Sequence, residues 1–430
     1  MSMNMSSNTI RICITISSFS ILYGSNALAS ESDVRDSFVE VGAEYEYSDN
    51  IYKLPNRKKD GTTTTAGVEL SYKQSKANNR ITLNYNAEYS ETSNADLQSN
   101  SYWIGHTAVS QDVFSKHLLF NLEHTRQRYL IDQTKTALDS NKDERDLLTA
   151  GLQWRIPYSH RTTFTLGTTH TQTWFKEEKI NDNSTNEGQV SLQYALDDIS
   201  EIQLSYVRSQ NKFDDFDYTY DEHKLDVRLT RQYLRGNYAF NAGGNWVDTS
   251  SEKYDGYHYG FTIDARLHRY LFIFSASQVL TNTSAQVETD DELDFSNNKL
   301  FYRTNISLQQ QYTSLNKRLL STVRLYYDND DAIASINGSD IRDQDRYGAY
   351  GELTWSFTNK LSANLSLNYY SAELSSNDTK QFTEAKIGSR YSLNSSIYIQ
   401  FTASFEKQNS MQNSAGYKEK HYATRIAFRY

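Results

Sequence analysis

The feature that most constrains this chain is a strict alternation of apolar and polar side chains. In Val39–Tyr47, five hydrophobic residues occupy every second position, with Glu40, Gly42, Glu44 and Glu46 between them. Successive side chains of a β-strand point to opposite faces, whereas a helix repeats its apolar positions with a period near 3.6 residues. The pattern therefore predicts strands with one apolar face and one polar face.

Along the chain, successive strands are joined alternately by a long polar loop and by a short turn. The first long loop, Ser48–Gly61, contains Pro55, which the interior of a sheet would not tolerate. This order is typical of an up-and-down antiparallel β-barrel with short periplasmic turns and long external loops. The segments predict an all-β transmembrane barrel of about 20 strands, with a range of roughly 18–22. The short turns are predicted near Lys73–Asn79, Phe114–His117, Pro157–Arg161, Asp197–Glu201, Arg231–Gly236, His268–Arg269, Ser314–Lys317, Thr358–Lys360 and Leu393–Ser396.

The charged face of each strand is predicted to point into the lumen, because a charge at the middle of a bilayer costs about 2–4 kcal/mol. Leu300, Tyr302, Ile306 and Leu308, for example, form an apolar face expected to contact lipid. These residues either line a polar pore or fill the interior that any such barrel needs, and the sequence leaves both interpretations open. The predicted lumen-lining residues are Glu40, Glu44, Glu46, Glu69, Arg155, Asp226, Arg228, Asp264, Arg266, Arg303, Arg324, Glu352 and Arg425.

The composition narrows the class further. The chain has 33 Tyr but only 2 Pro, its mean hydropathy is −0.72, and no hydrophobic run of about 18 residues follows the N-terminus, which together exclude helical membrane spans. A soluble β-sandwich or solenoid would also alternate, but it would be expected to contain more Gly, Pro and core Val. The net charge of −9 argues against nucleic acid as a partner.

The N-terminus has the pattern of a secretory signal peptide, predicted to span residues 1–29. Arg11 supplies the positive start, Ile12–Tyr23 an apolar stretch, and Ala27-Leu28-Ala29 a small-x-small cleavage site. Residues 30–37 are predicted to form a short periplasmic segment, and residues 38–430 a single barrel. Cys13, the one cysteine, lies within the signal, so the mature chain is expected to have no disulfide or lipid anchor.

The last ten residues, His421–Tyr430, read HYATRIAFRY and alternate an aromatic face with a charged one. This segment resembles the C-terminal signal strand of bacterial outer-membrane β-barrels, although Ala423 is the nearest small residue where a Gly often stands. The resemblance implies recognition by the barrel-assembly machinery through Tyr422–Tyr430. It also implies an outer-membrane location in a Gram-negative bacterium, with outer-membrane lipid and lipopolysaccharide as neighbours.

The segment Val39–Ile51, VEVGAEYEYSDNI, resembles the first strand of a family of outer-membrane β-barrel porins found in exopolysaccharide and PEP-CTERM gene clusters. The matching loop entry is Ser48-Asp49-Asn50-Ile51. The resemblance implies a component that accompanies polysaccharide synthesis or export, and it supplies no catalytic residues. Asp49 and Asn50 also suit a loop start on local grounds, since both side chains bond to turn backbone.

Motifs for catalysis, cofactors or metals are not found in the sequence. None of the nine His lies in HExxH or beside GxSxG. The acidic loops suggest Ca²⁺ bound beside lipopolysaccharide or, more simply, solvated carboxylates, and the EF-hand spacing is missing. The clusters are Asp214, Asp215, Asp217 and Asp221, and Asp328, Asp330, Asp331, Asp340, Asp343 and Asp345.

Three functional hypotheses follow. The first is a pore for sugars or exopolysaccharide, not an enzyme. The second is a surface recognition or structural barrel whose acidic loops bind matrix polymer, phage or cells. The third and weakest is a membrane-embedded hydrolase, for which His170 and His258 are the candidates.

Overall fold

A computed structural model describes residues 34–55, 58–93, 99–114, 117–130, 142–177, 179–214, 218–249, 252–282, 299–335, 343–374, 378–410 and 416–430. These residues form 20 antiparallel strands. Among them, no helix is long and apolar enough to cross a membrane. The strands are β1 Val34–Ser48, β2 Gly61–Lys76, β3 Asn79–Thr92, β4 Asn100–Val113, β5 Leu118–Leu130, β6 Lys142–Pro157, β7 Thr162–Phe175, β8 Asn183–Ala195, β9 Ser200–Phe213, β10 Tyr218–Tyr233, β11 Gly236–Thr249, β12 Lys253–Leu267, β13 Tyr270–Asn282, β14 Lys299–Thr313, β15 Leu319–Ser335, β16 Gln344–Ser356, β17 Leu361–Leu374, β18 Asp378–Ser392, β19 Ile397–Ser410 and β20 Tyr417–Arg429.

Each strand pairs with the next one in the chain, and β20 returns to β1 to close the barrel. The closing ladder runs from Glu40 opposite Arg429 to Ser48 opposite His421. Closure satisfies the backbone groups that a free edge would leave exposed, which is a requirement within lipid. The predicted up-and-down barrel and its strand number of about 20 are confirmed.

The two faces of the wall are seen clearly in β1. Val41 and Tyr45 are 44% and 56% exposed on the outside, whereas Glu40 between their faces is 1% exposed on the inside. The same alternation continues around the barrel, where most of the exposed large hydrophobic side chains lie on the outer face. An apolar exterior of this kind is stable only against hydrocarbon.

The strands are longer, and the external loops shorter, than the sequence predicts. β1 begins at Val34, so residues 34–37 belong to the barrel, while residues 1–33 lie outside the described part of the chain. Backbone pairing continues into the external ends of the strands, beyond the point where the apolar alternation stops. Several predicted loop carboxylates are therefore strand residues, namely Asp221, Asp328, Asp330, Asp331 and Asp345, whereas Asp215, Asp217 and Asp340 fall outside the described residues.

The seam between the first and last strands is held by a buried carboxylate. Arg429 donates to Glu40 Oε2 from Nε at 3.0 Å and from Nη2 at 2.8 Å. Arg425 Nη2 donates to Glu40 Oε1 at 3.1 Å, and the hydroxyl of Tyr398 donates to the same oxygen. Gly42 leaves room for the guanidinium, since a Cβ there would lie 3.1 Å from Arg425 Nε. One carboxylate thus connects β1, β19 and β20.

Replacing Glu40 with Ala is expected to weaken closure of the barrel. Truncating one partner of a buried ion pair costs about 3–5 kcal/mol, because the remaining charges stay unpaired. The urea midpoint, followed by loss of heat-modifiable migration on gels, should fall. Asp36→Ala is the matched control, because Asp36 is an exposed carboxylate on the same strand. Equal midpoints for the two variants would contradict a closing role for Glu40.

Candidate functional site: the lumen and its external mouth

The thirteen predicted lumen residues all lie at strand positions on the inner face. The face of each residue follows from the exposure of its neighbours in the strand. Leu225 and Val227 are exposed on the outside of the barrel, so Asp226 between them points inward. The same flanking pattern, or pairing across the ladder with such a residue, places Glu40, Glu44, Glu46, Glu69, Arg155, Arg228, Asp264, Arg266, Arg303, Arg324, Glu352 and Arg425 inside.

Asp226 and His258 meet across an intervening strand. They lie on β10 and β12, and Gly243 of β11 is the register partner of both. His258 Nε2 lies 2.8 Å from Asp226 Oδ1, to which Asn241 Nδ2 also donates at 3.3 Å. A Cβ on Gly243 would lie 2.6 Å from the imidazole, so only glycine allows this contact. The sequence predicted Asp226 as lumen lining but not its partner.

Two arginines on the inner face neutralise carboxylates that the sequence placed in an external loop. Arg303 binds Asp330 in a bidentate pair, with Nε and Nη2 each at 2.7 Å. Arg346 Nη2 donates to Asp328 at 3.0 Å. Each pair consists of register partners on adjacent strands. These carboxylates bind guanidinium groups, and the described residues hold no group of three or more metal-ligating side chains.

Aromatic rings on the inner face are covered by cations. The Arg390 guanidinium lies 3.5 Å from the centre of the Tyr398 ring, and Arg429 lies 4.1 Å from that of Phe38. The sequence analysis did not identify these inward rings. Assigning every second residue of a strand to the inner face, whether or not it is polar, would have placed Phe38 and Tyr398 inside. Because a guanidinium prefers an aromatic face, the rings fix the direction in which the cations point.

The loop between β1 and β2 enters the external mouth of the barrel, and its described residues, 49–55 and 58–60, are here called L1. Lys53, at the left-handed φ of 51°, is 4% exposed and reaches the inner face of β19 and β20. Its Nζ lies 2.8 Å from Glu406 Oε2, 3.2 Å from the Tyr417 hydroxyl and 3.6 Å from Glu419 Oε2. The sequence gave no sign of Lys53. Extending the period-two alternation of His421–Tyr430 toward the N-terminus would have placed Tyr417 and Glu419 on the inner face.

The motif Ser48-Asp49-Asn50-Ile51 holds L1 in this position. Ser48 Oγ donates to Glu419, and Asn50 Nδ2 donates to the carbonyl groups of Leu54 and Lys418 at 2.9 and 3.0 Å. Asp49 accepts a hydrogen bond from the Lys420 amide at 2.7 Å. The motif is therefore a structural clip between the first loop and the last strand.

The charge of Lys53 is maintained by its neighbours. Burial alone would lower the pKa of the ammonium, but Glu406, Tyr417 and Glu419 raise it, and the net result is a pKa well above the usual range. A lysine whose pKa is raised by folding contributes stability at any pH below its unfolded pKa, and loses it only as the pH rises through the folded value. Lys53 itself thus stays charged throughout the physiological range.

The wall is not continuously hydrogen-bonded at its external end. The ladder between β12 and β13 stops at Tyr259 opposite Gln278, although β12 continues out to Lys253 and β13 to Asn282. A second break lies between β4 and β5, where pairing stops at Gly105 opposite Arg126. Above these points, neighbouring strands have separated.

At the β12–β13 break, the external end of β13 lies on the lumen side of β12, and this arrangement is here called an overlap. Leu280, Leu300 and Tyr302 lie at outward-facing positions, yet Leu280 and Leu300 pack with Phe213 and Val247, which are inward-facing. The predicted lipid contact of Leu300 and Tyr302 is therefore wrong, because the wall bends inward at this height. Ile306 and Leu308 on the same strand do face outward and are exposed.

The β4–β5 break has the same geometry with different chemistry. Arg128 is at an outward-facing position of β5, but its guanidinium lies 4.4 Å from the centre of the inward-facing Tyr102 ring. Tyr102 donates to the buried Glu88 at 2.7 Å. The two overlaps lie at different places around the sheet, and one is held by apolar contacts and the other by charged contacts.

Comparisons with known proteins support the fold only. No family profile and no curated protein matches the chain. The siderophore receptor PirA from Acinetobacter baumannii superposes with a TM-score of 0.51 at 8% identity, over 91% of this chain and 80% of that chain. OpdL from Pseudomonas aeruginosa gives 0.41 at 10% identity, over 92% and 99%. OmpT, an outer membrane protein of Vibrio cholerae, gives 0.35 at 9% identity, over 94% and 99%.

The fold and its exterior together determine the location. A closed antiparallel barrel of 20 strands with an apolar outer face satisfies its backbone internally and requires a lipid environment. The protein is a β-barrel of the Gram-negative outer membrane.

Replacing Lys53 with Met is expected to release L1 from the mouth. Glu406 and Glu419 would remain buried without their cation, at a cost of about 3–5 kcal/mol that detachment of the loop relieves. Proteinase K added to outer-membrane vesicles should then cut L1 faster than in the wild type.

Two matched variants separate this contact from general damage to the loop. Lys53→Arg keeps the charge and should retain most of the protection. Lys58→Met removes only the exposed pair with Asp49, at 2.8 Å, and should leave cleavage unchanged. Wild-type resistance in Lys53→Met would show that the ion pair does not hold L1.

Proposed function

We propose that the protein is a water-filled pore through which sugars, including segments of exopolysaccharide, cross the outer membrane. The observation that carries the proposal is the inner face, which is polar around most of the circumference. On β7, for example, the inward positions from Thr163 to Thr173 are all Thr except Gly167. Hydroxyl and amide groups offer both donors and acceptors, which is what a hydroxylated solute needs.

Several charges on the inner face are compensated by direct ion pairs, which suits a solute of low charge density. Arg303 with Asp330 and Arg346 with Asp328 are direct pairs, and Glu40 is shared by two arginines. A barrel of about 20 strands is also wide enough for an aqueous channel. The size of the solute is set by the mouth, where L1 and the two overlaps stand.

A recognition or structural role is the second candidate, and a specific observation favours it. The ion pair of Lys53 and the inward bend at β12–β13 both reduce the opening at the external end. If they close it completely, the external loops become the functional surface, and matrix polymer, phage or a neighbouring cell is the proposed partner.

A hydrolase is disfavoured by the surroundings of the two candidate histidines. His170 lies on the outer face of β7 beside Asn186, at 2.8 Å, and His258 pairs with Asp226. Neither of these partners is a hydroxyl nucleophile, and we propose no catalytic role for either His.

The partners of the barrel are also proposals. Tyr422, Ile426 and Phe428 are exposed on the outside of β20, where the barrel-assembly machinery would read the C-terminal strand. Lipopolysaccharide is the proposed neighbour of the external outer surface. The link to exopolysaccharide and PEP-CTERM gene clusters continues to depend on the resemblance at Val39–Ile51 alone.

Single-channel conductance of the refolded protein in a planar bilayer tests the pore. Stable open steps that added oligosaccharides block are the expected result. A heat-modifiable, folded barrel that remains silent would contradict the pore and favour the recognition role.

Adjacent residues on opposite faces provide a matched pair of variants. Thr169 points into the lumen and Thr168 points outward. Thr169→Phe should lower the conductance and change the block by sugar, because Gly151 opposite it leaves space for the ring inside the lumen. Thr168→Phe adds the same ring outside and should change neither quantity.

A further inference from the structure

The overlap between β12 and β13, like that between β4 and β5, is held closed by side-chain contacts and not by ladder bonds. Lys253–His258 of β12 and Val279–Asn282 of β13 make no ladder bonds with each other. β13 stays paired with β14 up to Asn282 opposite Leu300, so the inner edge is a stable hairpin. Separating the two edges therefore breaks side-chain contacts only, and the backbone bonds on both sides remain.

Aromatic side chains follow the overlap from the outside of the barrel to the inside. Tyr257 is 81% exposed on the outer face, next to the break. Tyr302 and Tyr254 lie within the overlap, packed against the buried cluster. Tyr218 and Tyr220 continue the series on the lumen side, with their ring centres 6.2 Å apart. Rings with a polar tip suit a boundary that is apolar at one end and wet at the other.

A buried amide lies at the same place, beside the hydroxyl of Tyr302. Asn245 is 2% exposed on the inner face of β11, and the Tyr302 hydroxyl is the polar group next to its side chain. Displacing Tyr302 as the overlap opened would leave this amide available to water or to the polar part of a solute.

We propose that the β12–β13 overlap is a lateral port between the lumen and the outer leaflet. Its ligand class is an amphipathic solute, with a polar head that takes the place of the Tyr302 hydroxyl beside Asn245 and a hydrocarbon chain or ring that lies along the tyrosines. The β4–β5 overlap does not qualify, because Arg128 and the Tyr102–Glu88 pair would place charge in the path of a chain. The port goes beyond the proposed sugar pore and does not depend on which solute moves along the axis.

The test uses single cysteines, since Cys13 is the one native cysteine and is replaced by Ser. Leu280→Cys places a thiol inside the overlap. Outer-membrane vesicles are treated with pyrenyl maleimide, which partitions into lipid, or with a charged methanethiosulfonate, which stays in water. Ile306→Cys on the exposed outer face and Ser307→Cys on the buried inner face set the upper and lower limits of labelling from lipid.

A second variant biases the opening. A Cβ on Gly256 would lie 1.6 Å from the Tyr302 hydroxyl, so Gly256→Ala must displace that ring. Gly260→Ala is the matched control, because its Cβ would meet Asn241 in the fully paired part of β12 instead. Tyr302→Ala removes the ring itself and serves if Gly256→Ala fails to fold.

The port predicts that Leu280→Cys reacts with pyrenyl maleimide faster than Ser307→Cys. Gly256→Ala or Tyr302→Ala should increase that rate by about tenfold, because labelling follows the population of the open form, and Gly260→Ala should not. Reaction only with the charged reagent would mean that the overlap opens toward the lumen, and would overturn the port. Reaction with neither reagent in all variants would mean a permanently closed overlap, and would overturn it equally.

Discussion

Closure of the backbone ladder is the constraint on which the rest of this structure depends. Within hydrocarbon, each unpaired N–H or C=O costs several kcal/mol, so the last strand must find the first. The junction of β1 and β20 has no turn to enforce its register, unlike the other strand pairs. Register there is specified by side chains, and Glu40 is shared by Arg425 and Arg429 on the partner strand. The buried ion network thus specifies the register of the one junction that no turn connects.

The contact between β10 and β12, which are not adjacent, depends on glycine. His258 reaches Asp226 across β11 because Gly243 has no side chain. In a wall where every second residue points inward, two strands flanking a third are normally kept apart by the side chains of the middle one. Placing glycine in the middle strand removes that barrier locally. At this point, polar groups of the lumen are therefore organised over three strands rather than two.

Much of the wall could be predicted from period-two alternation alone. Positions such as Asp226 and Arg303 follow from the faces of single strands, and the short turns follow from their polarity. The external end could not be read in this way. Lys53 belongs to no strand, and its contacts lie more than 350 positions away in the chain. Tyr302 obeys the alternation but meets protein instead of lipid, because the bend of the wall depends on how many ladder bonds β12 and β13 form.

L1 connects parts of the chain that are made at opposite ends of synthesis. Lys53 follows the first strand, while Glu406 and Glu419 lie on the last two. The contact can form only after β20 has paired with β1, since the inner surface that Lys53 enters does not exist before then. The same ion pair that narrows the mouth is consequently a marker of finished assembly. In a barrel that had stalled before closure, Lys53 would lack this inner surface and L1 would be left without its carboxylate partners.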